Sequence, residues 1–439
     1  MRLSGLRAAL IAGILLLAAV VFVERAFLNA REVNTRIDRT DQNAYIDHAL
    51  RLKESGYQYD LPRNRMPVYP MLLSLLVQEG DSPGDLFSRG KTANIVLTMS
   101  CLVVVATVFF RVLPPHAALN ATLFAAFSVF LFKAPHVQAE ILFYTLNFVG
   151  FVLAWKLFLS PRWKDALWLG LTAAAAHLTK ASILPGLFCF SVFFLADASR
   201  SSAGPNAIFR RLGLVVLTLL VFLGVTAPYL IRSKELHGSF FYNVNSTHYF
   251  WLDSWKECVA LTQKAKELGG WSALPPEEQP GPAFFLRRHG PEGIVTRLVS
   301  GSTRVVHSMR SSYGYFGVLL ALSAALAVLA FIQRIKVQQW IRERPAAAAA
   351  LAAYFGGYFL LLAWYSQIID GNRFILALFL PAVFTLFVGI HRLSRGLQLT
   401  IKGKTWPVAS TLQFLLSLWL AIEITIICTS RIGSMYGGG

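Results

Sequence analysis

Residues 91–110, KTANIVLTMSCLVVVATVFF, carry a single charge, at Lys91, and are otherwise apolar or weakly polar. A helix of about 20 such residues matches the roughly 30 Å hydrocarbon core of a bilayer. Similar runs recur on both sides, near 8–27, 117–133, 137–156, 165–180, 182–197, 212–231, 313–333, 346–365, 374–391 and 408–428, so eleven spans are expected. With 55% apolar residues over 439 positions, the chain reads as an all-α polytopic membrane protein, and a soluble fold is excluded. Spans five and six are short and share the turn at Thr179, Lys180 and Ala181. Residues 71–77 are apolar but too few to cross, and are expected at the interface. The Ala-rich run 346–353 reads as the close-packing start of span nine.

Short-loop charge sets the orientation, because long loops translocate largely regardless of charge. With Arg2 and Arg7 inside, the turns 111–116, 156–164, 200–211, 334–344 and 392–404 are also inside and hold most of the short-loop basic residues. The outward turns carry about one cation each, at Lys133, Lys180 and Arg373. The chain then divides into a first span (1–27), a first outer segment with interfacial helices (28–90), spans two to seven (91–231), a second outer segment (232–312), spans eight to eleven (313–428) and a tail (429–439). The two outer segments are expected to form a small extracytoplasmic cap. The net charge of +18 follows from inner anchors plus basic outer segments, which suit anionic headgroups or a lipid phosphate. The cations are dispersed and no nucleic-acid-binding motif accompanies them, so nucleic acid is not expected as a partner.

Four cysteines, Cys101, Cys189, Cys258 and Cys428, show neither disulfide-framework nor zinc spacing. The first apolar run lacks a small-x-small cleavage site before Arg31 and reads as an uncleaved span. There is no Gly-rich phosphate loop, HExxH or internal repeat; Asn245, Ser246 and Thr247 form a glycosylation sequon in the second outer segment.

Chemistry concentrates in residues 37–70, IDRTDQNAYIDHALRLKESGYQYDLPRNRMPVYP, which directly follow the first span. From Asp41 to Ser55 the pattern is a helix, with Tyr45, Ile46, Ala49, Leu50 and Leu52 on one side and Asp47, Arg51, Lys53 and Glu54 elsewhere. Such a helix is expected along the outer interface, holding Asp41 at headgroup depth. The topology puts further polar residues on the same face: Asp38; Lys133, His136 and Glu140 between spans three and four; Lys180; Arg232 and His237; and Asp370 and Arg373. Singly, each has a plainer role. Asp41 could favour the helix start with Asp38 as N-cap, Glu140 could be interfacial, and the cations could be snorkelling anchors. His136, His237 and His248 lack a second ligand at metal spacing. Taken singly, these roles leave the shared face unexplained, which points to a site.

The pattern Asp41-Gln42, Tyr45, Ala49, Gly56 and Arg65-x-Pro67-x-Tyr69-Pro70 resembles the first outer loop of GT-C type glycosyltransferases, in the bacterial branch related to protein O-mannosyltransferases and aminoarabinose transferases to lipid A. Glu140 in AEILFYTL, Lys180 in HLTKASILPG, Pro228-Tyr229-x-x-Arg232 before His237-Gly238, and Arg373 in GNRFILALFLP extend the resemblance over most of 1–392. Many relatives carry Asp-Glu where this chain has Asp41-Gln42, so help from a second acid, including with a divalent metal, is put in question.

The resemblance implies transfer of a sugar from a polyprenyl-phosphate donor to an envelope acceptor, at the outer face of a bacterial cytoplasmic membrane. The residue types suit that chemistry. A phosphate leaving group is a weak base and needs no general acid of the glycosidase kind; the reaction needs a base for the acceptor and cations for the phosphate. Asp41 is the expected base, with Asp38 as a less favoured substitute. Glu140, Lys180, Arg232, Arg373, Tyr45, Arg65 and His248 are the expected substrate contacts, with Glu140 orienting and Lys180, Arg232 and Arg373 on the phosphate. Tyr249, Trp251, Trp255 and residues 284–289 would either cover the sugar or form an interfacial belt. Two alternatives remain at this stage: a flippase or transporter of lipid-linked glycans, and an O-antigen ligase or polymerase.

Overall fold

The computed structural model describes residues 5–59, 65–200, 205–311, 316–368, 375–401 and 403–431. The chain is almost wholly helical. The helices are α1 (Gly5–Glu32), α2 (Gln42–Glu54), α3 (Val68–Ser74), α4 (Pro83–Val112), α5 (Pro115–Lys133, with a π turn at Ala126–Phe130), α6 (Glu140–Leu159) and α7 (Trp163–Thr179). They continue as α8 (Leu184–Arg200), α9 (Pro205–His237), α10 (Trp255–Glu267), α11 (Pro282–His289), α12 (Glu292–Arg310), α13 (Phe316–Ile332) and α14 (Arg334–Glu343). Last come α15 (Pro345–Tyr365), α16 (Phe379–Ser394) and α17 (Val408–Ile426). A hairpin of β1 (Gln398–Ile401) and β2 (Lys404–Pro407), not expected from the sequence, turns at Gly403, whose φ of 75° suits glycine.

Every expected span has a helix, but they are not equivalent. Among the described residues eight helices are long and apolar enough to cross a membrane, or nine if α13 and α14, which meet at 90°, count as one span. The other two expected spans, α7 and α8, are 17-residue helices. At about 1.5 Å per residue they reach only the lower limit for crossing. Some boundaries also move. The span expected at Lys91 starts at Pro83, because Ser82 and Asp85 form a reciprocal capping box and Pro83 favours the first helical position. Span seven runs on through Pro228 to His237.

Among the apolar clusters of the described residues, three pack the helices around α2 and the spans. The largest joins α1, α4, α5, α6, α13, α16 and α17 around Phe22, Phe109, Phe130, Phe148 and Phe387. A second joins α6 to α9 with Ala347 at the start of α15, where the Ala-rich run packs closely as expected. There α7 meets α9 at Gly170; a Cβ would stand 2.7 Å from the Thr218 carbonyl oxygen, so only glycine permits that approach. The third cluster packs Tyr45, Ile46 and Ala49 of α2 on Tyr69 and Leu73 of α3, Leu86 and Phe87 of α4, and Val137 and Ala139. The apolar side of α2 is therefore filled by protein.

The segment between α9 and α13 is held by a buried guanidinium. Arg297 of α12 donates to the carbonyls of Trp364 (3.0 Å), Leu252 (2.8 Å) and Phe250 (3.3 Å) and pairs with Asp253 at 3.3 Å. It also lies over the Trp364 ring, 4.6 Å from its centroid. One turn later Gly301 lies against the Ala363 backbone, where a Cβ would overlap the carbonyl.

Candidate active site

The segment after α1 is clamped to the turn between α5 and α6. Gln42, fully buried at the first position of α2, exchanges hydrogen bonds with Asn34: its Nε2 donates to Asn34 Oδ1 at 2.9 Å, and its Oε1 accepts from Asn34 Nδ2 at 2.8 Å. Nε2 also donates to the Arg39 carbonyl at 3.0 Å, while Oε1 accepts from the Val137 backbone N–H at 2.9 Å. Asn34 Nδ2 reaches the Pro135 carbonyl at 2.8 Å, and Gln138 Nε2 donates to Thr40 Oγ1 at 2.6 Å. From α4, Lys91 donates to the carbonyls of Ala30 (2.9 Å) and Asn34 (3.2 Å), closing the C-terminal end of α1 with a cation that suits its dipole. Asn94 Nδ2 holds the same turn through the Ala134 and His136 carbonyls, at 2.9 and 2.7 Å.

This clamp presents Asp41. Its side chain makes no capping bond, although the residue occupies the N-cap position, and Oδ1 faces Arg65 at 2.9 Å. The two side chains are 29% and 18% exposed, within reach of a substrate yet held. Arg65 lies 5.7 Å from the Tyr45 ring centroid, and Tyr45 meets Tyr69 edge-on at 5.1 Å. The Tyr69 hydroxyl donates to Asn94 Oδ1 at 3.0 Å; burial first, then Tyr45 and the Glu140 carboxylate, push its ionisation well up. Glu140, buried at the start of α6, pairs with Lys180 at 3.1 Å across the α7–α8 turn. A buried carboxylate is tolerated there because a cation meets it. Burial, reinforced by Lys133, holds His136 down to about 3, so its imidazole is neutral at pH 7. The structure thus brings Asp41, Tyr45, Arg65, Glu140 and Lys180 onto one connected framework.

Other expected residues sit differently. Asp38 is exposed and pairs with Arg36 at 2.6 Å, which holds its carboxyl below the usual range; it does not cap α2. Arg232 pairs with Glu235 at 3.2 Å along its own helix. His248 stacks on Trp271 with centroids 4.3 Å apart, and burial brings it down to about 4. This region still borders the site, for Tyr229 donates to the sulfur of Met66 at 3.4 Å, beside Arg65. Of the aromatics expected over a sugar, Tyr249 is buried and bonded to Thr262 at 2.8 Å, and Trp251 packs on Phe250 and Trp364. Trp255 is exposed. Arg373 and Asp370 lie outside the described residues.

The framework residues Asn34, Asn94 and Gln138 were not singled out from sequence. Asn94 alone was marked, as an amide at the edge of an apolar run, whereas Asn34 and Gln138 lie among other polar residues. Among the described residues no three His, Cys, Asp or Glu side chains gather at one point, and Asp41 and Glu140 each face a cation. The donors present do not fit a divalent metal there.

No family model and no curated protein matches the chain. Among solved structures it is similar to the archaeal oligosaccharyltransferase AglB from Archaeoglobus fulgidus, in complex with an inhibitory peptide and a dolichol-phosphate, at 14% identity and a TM-score of 0.52. The match covers 98% of this chain and 56% of that one, so the chain spans just over half the length of that structure. At such identity the likeness is one of fold: the chain is an all-α polytopic membrane protein whose helices are arranged as in part of that transferase.

Proposed function

We propose that the chain is an integral-membrane glycosyltransferase that moves a sugar from a polyprenyl-phosphate donor to an envelope acceptor, on the extracytoplasmic face of the membrane. The observation that carries this reading is the partly exposed Asp41 carboxylate held at 2.9 Å from Arg65, on a segment bonded to the turn that leads into Glu140 and its partner Lys180. The fold likeness to an oligosaccharyltransferase in complex with a dolichol-phosphate supports a lipid-phosphate carrier.

In this reading Asp41 accepts the proton of the acceptor hydroxyl or amine as that atom bonds to the anomeric carbon. The bond from that carbon to the phosphate oxygen breaks, and the phosphate leaves with the electron pair. A single displacement inverts the centre. Arg65 orients the base, Lys180 and Arg373 meet the phosphate charge, and Glu140 sets the position of Lys180. Arg232 would join them only on leaving Glu235. Tyr45, buried beneath Arg65, supports that guanidinium from behind, and the neutral His248 on Trp271 offers an edge toward the sugar.

The test is to incubate the purified protein with radiolabelled polyprenyl-phosphate sugars and membrane extracts, and to follow label into lipid, glycan or protein. Transfer that requires Asp41 is expected. Absence of transfer with every donor would remove the proposal.

A further inference from the structure

We infer that Thr40 and Gln42 are positioning residues, which clamp the backbone on either side of Asp41 and so set the aim of its carboxylate. The inference rests on the glycosyltransferase reading and adds how that site is held.

Thr40 has φ of 66°, and among the described residues only Tyr57 shares a positive φ without being glycine. A β-branched residue is strained in that left-handed region, and such strain persists only where surrounding contacts impose it. Here they are visible. The Thr40 hydroxyl accepts from Gln138 at 2.6 Å, and the Gln42 amide engages Asn34, Arg39 and Val137 while fully buried. Both anchors therefore reach the turn that carries Glu140, two residues beyond Gln138. Asp41, between them, makes no side-chain capping bond and faces Arg65. A plain helix start would be better served by glycine at 40 and a capping carboxylate at 41. The observed turn instead leaves the carboxylate facing outward and fixes its register against the Glu140–Lys180 pair. Gln42 suits the clamp because an amide both donates and accepts, whereas a carboxylate at 42 could not serve the Asn34 and Arg39 oxygens.

Three variants of the full chain test this: Thr40→Gly removes the strain and the anchor, Gln42→Ala removes the amide, and Thr40→Ser keeps the hydroxyl. With radiolabelled polyprenyl-phosphate monosaccharides, Thr40→Gly is expected to lower kcat about 10- to 100-fold with the donor KM within about 2-fold, as for a misplaced catalytic group. Its thermal midpoint should stay near that of the parent, and Thr40→Ser should restore turnover. Amide hydrogen exchange supplies a readout that needs no donor: Thr40→Gly and Gln42→Ala should speed exchange over 38–46 and 135–141 together, leaving 298–310 unchanged. Parental kcat in Thr40→Gly, or faster exchange confined to 38–46, overturns the inference. Asp41→Asn separates the two readings. If it turns over normally the base is wrongly assigned, whereas an inactive Asp41→Asn beside a fully active Thr40→Gly overturns the clamp alone.

Discussion

Asp41 stands at the N-cap position without using its carboxylate to cap, which separates its chemical contribution from its structural one. Asparagine there keeps the shape but cannot take a proton at neutral pH. Asp41→Asn should cut turnover by about 10²- to 10⁴-fold. The partly exposed pair with Arg65 contributes little to folding, so stability should change by about 1 kcal/mol or less. Turnover by detergent-purified variants, with thermal unfolding alongside, checks both halves; Asp38→Asn, on an exposed surface pair, should remain active. Gln42→Glu should do the opposite. It would bury a carboxylate against the Asn34 and Arg39 oxygens and cost about 3 kcal/mol of stability, read as a lower thermal midpoint. His248 adds a pH dependence. Between roughly pH 6.5 and 4 the unfolded imidazole binds a proton that the folded one, at about 4, does not, so stability falls as pH falls through that window and is regained above it. His248→Phe keeps the stack on Trp271, and should flatten the decline of the midpoint between pH 7 and 5. His136, down at about 3, retains a share of the slope.

The helices show which parts of this arrangement could be read from the chain and which could not. The helix after Asp41 was legible because its apolar residues recur at helical spacing, and Tyr45, Ile46, Ala49 and Leu52 are indeed buried. What covers them was not legible. Tyr69, Leu73, Leu86, Phe87 and Val137 come from three other segments, and local periodicity carries no information about remote partners. Similarly, Glu140 and Lys180 were visible as charges beside apolar runs, but their pairing across 40 residues was not. Arg297 gave no signal at all, since it reads as one more cation in an amphipathic helix until the carbonyls of Phe250, Leu252 and Trp364 converge on it. Close helix contacts are equally silent in sequence. Gly301→Ala would drive a Cβ into the Ala363 carbonyl and should destabilise the protein by about 1–3 kcal/mol, whereas Gly213→Ala, with open space around it, should be neutral or slightly stabilising. Thermal unfolding of the two variants checks the contrast.

Across the whole molecule, the proposed orientation, which rests on the short-loop charge bias, puts the face carrying Asp41 outside. Lys53 and Lys266 should therefore be outside, and Arg342 and Lys402 inside. Lys53, Lys266 and Arg342 are exposed, so single cysteine substitutions there are open to an impermeant thiol reagent. Intact cells or spheroplasts should label Lys53→Cys and Lys266→Cys but not Arg342→Cys; the reverse pattern would turn the site to the cytoplasm. The clamp between the Asn34–Gln42 segment and the 135–138 turn also has a consequence for biosynthesis. Its two halves lie about a hundred residues apart in the chain, with α4 and α5 between them. As chains emerge from the N-terminus at about 5–20 residues per second, the segment bearing Asp41 must wait several seconds for the turn that will seat it. Until then the cluster under α2 lacks Val137 and Ala139, and Thr40 and Gln42 lack their bonds to Gln138 and Val137, so the segment is open to proteolysis. Nascent chains arrested before residue 133 should be cut within 38–55 by external protease, and chains extended past 180 should resist.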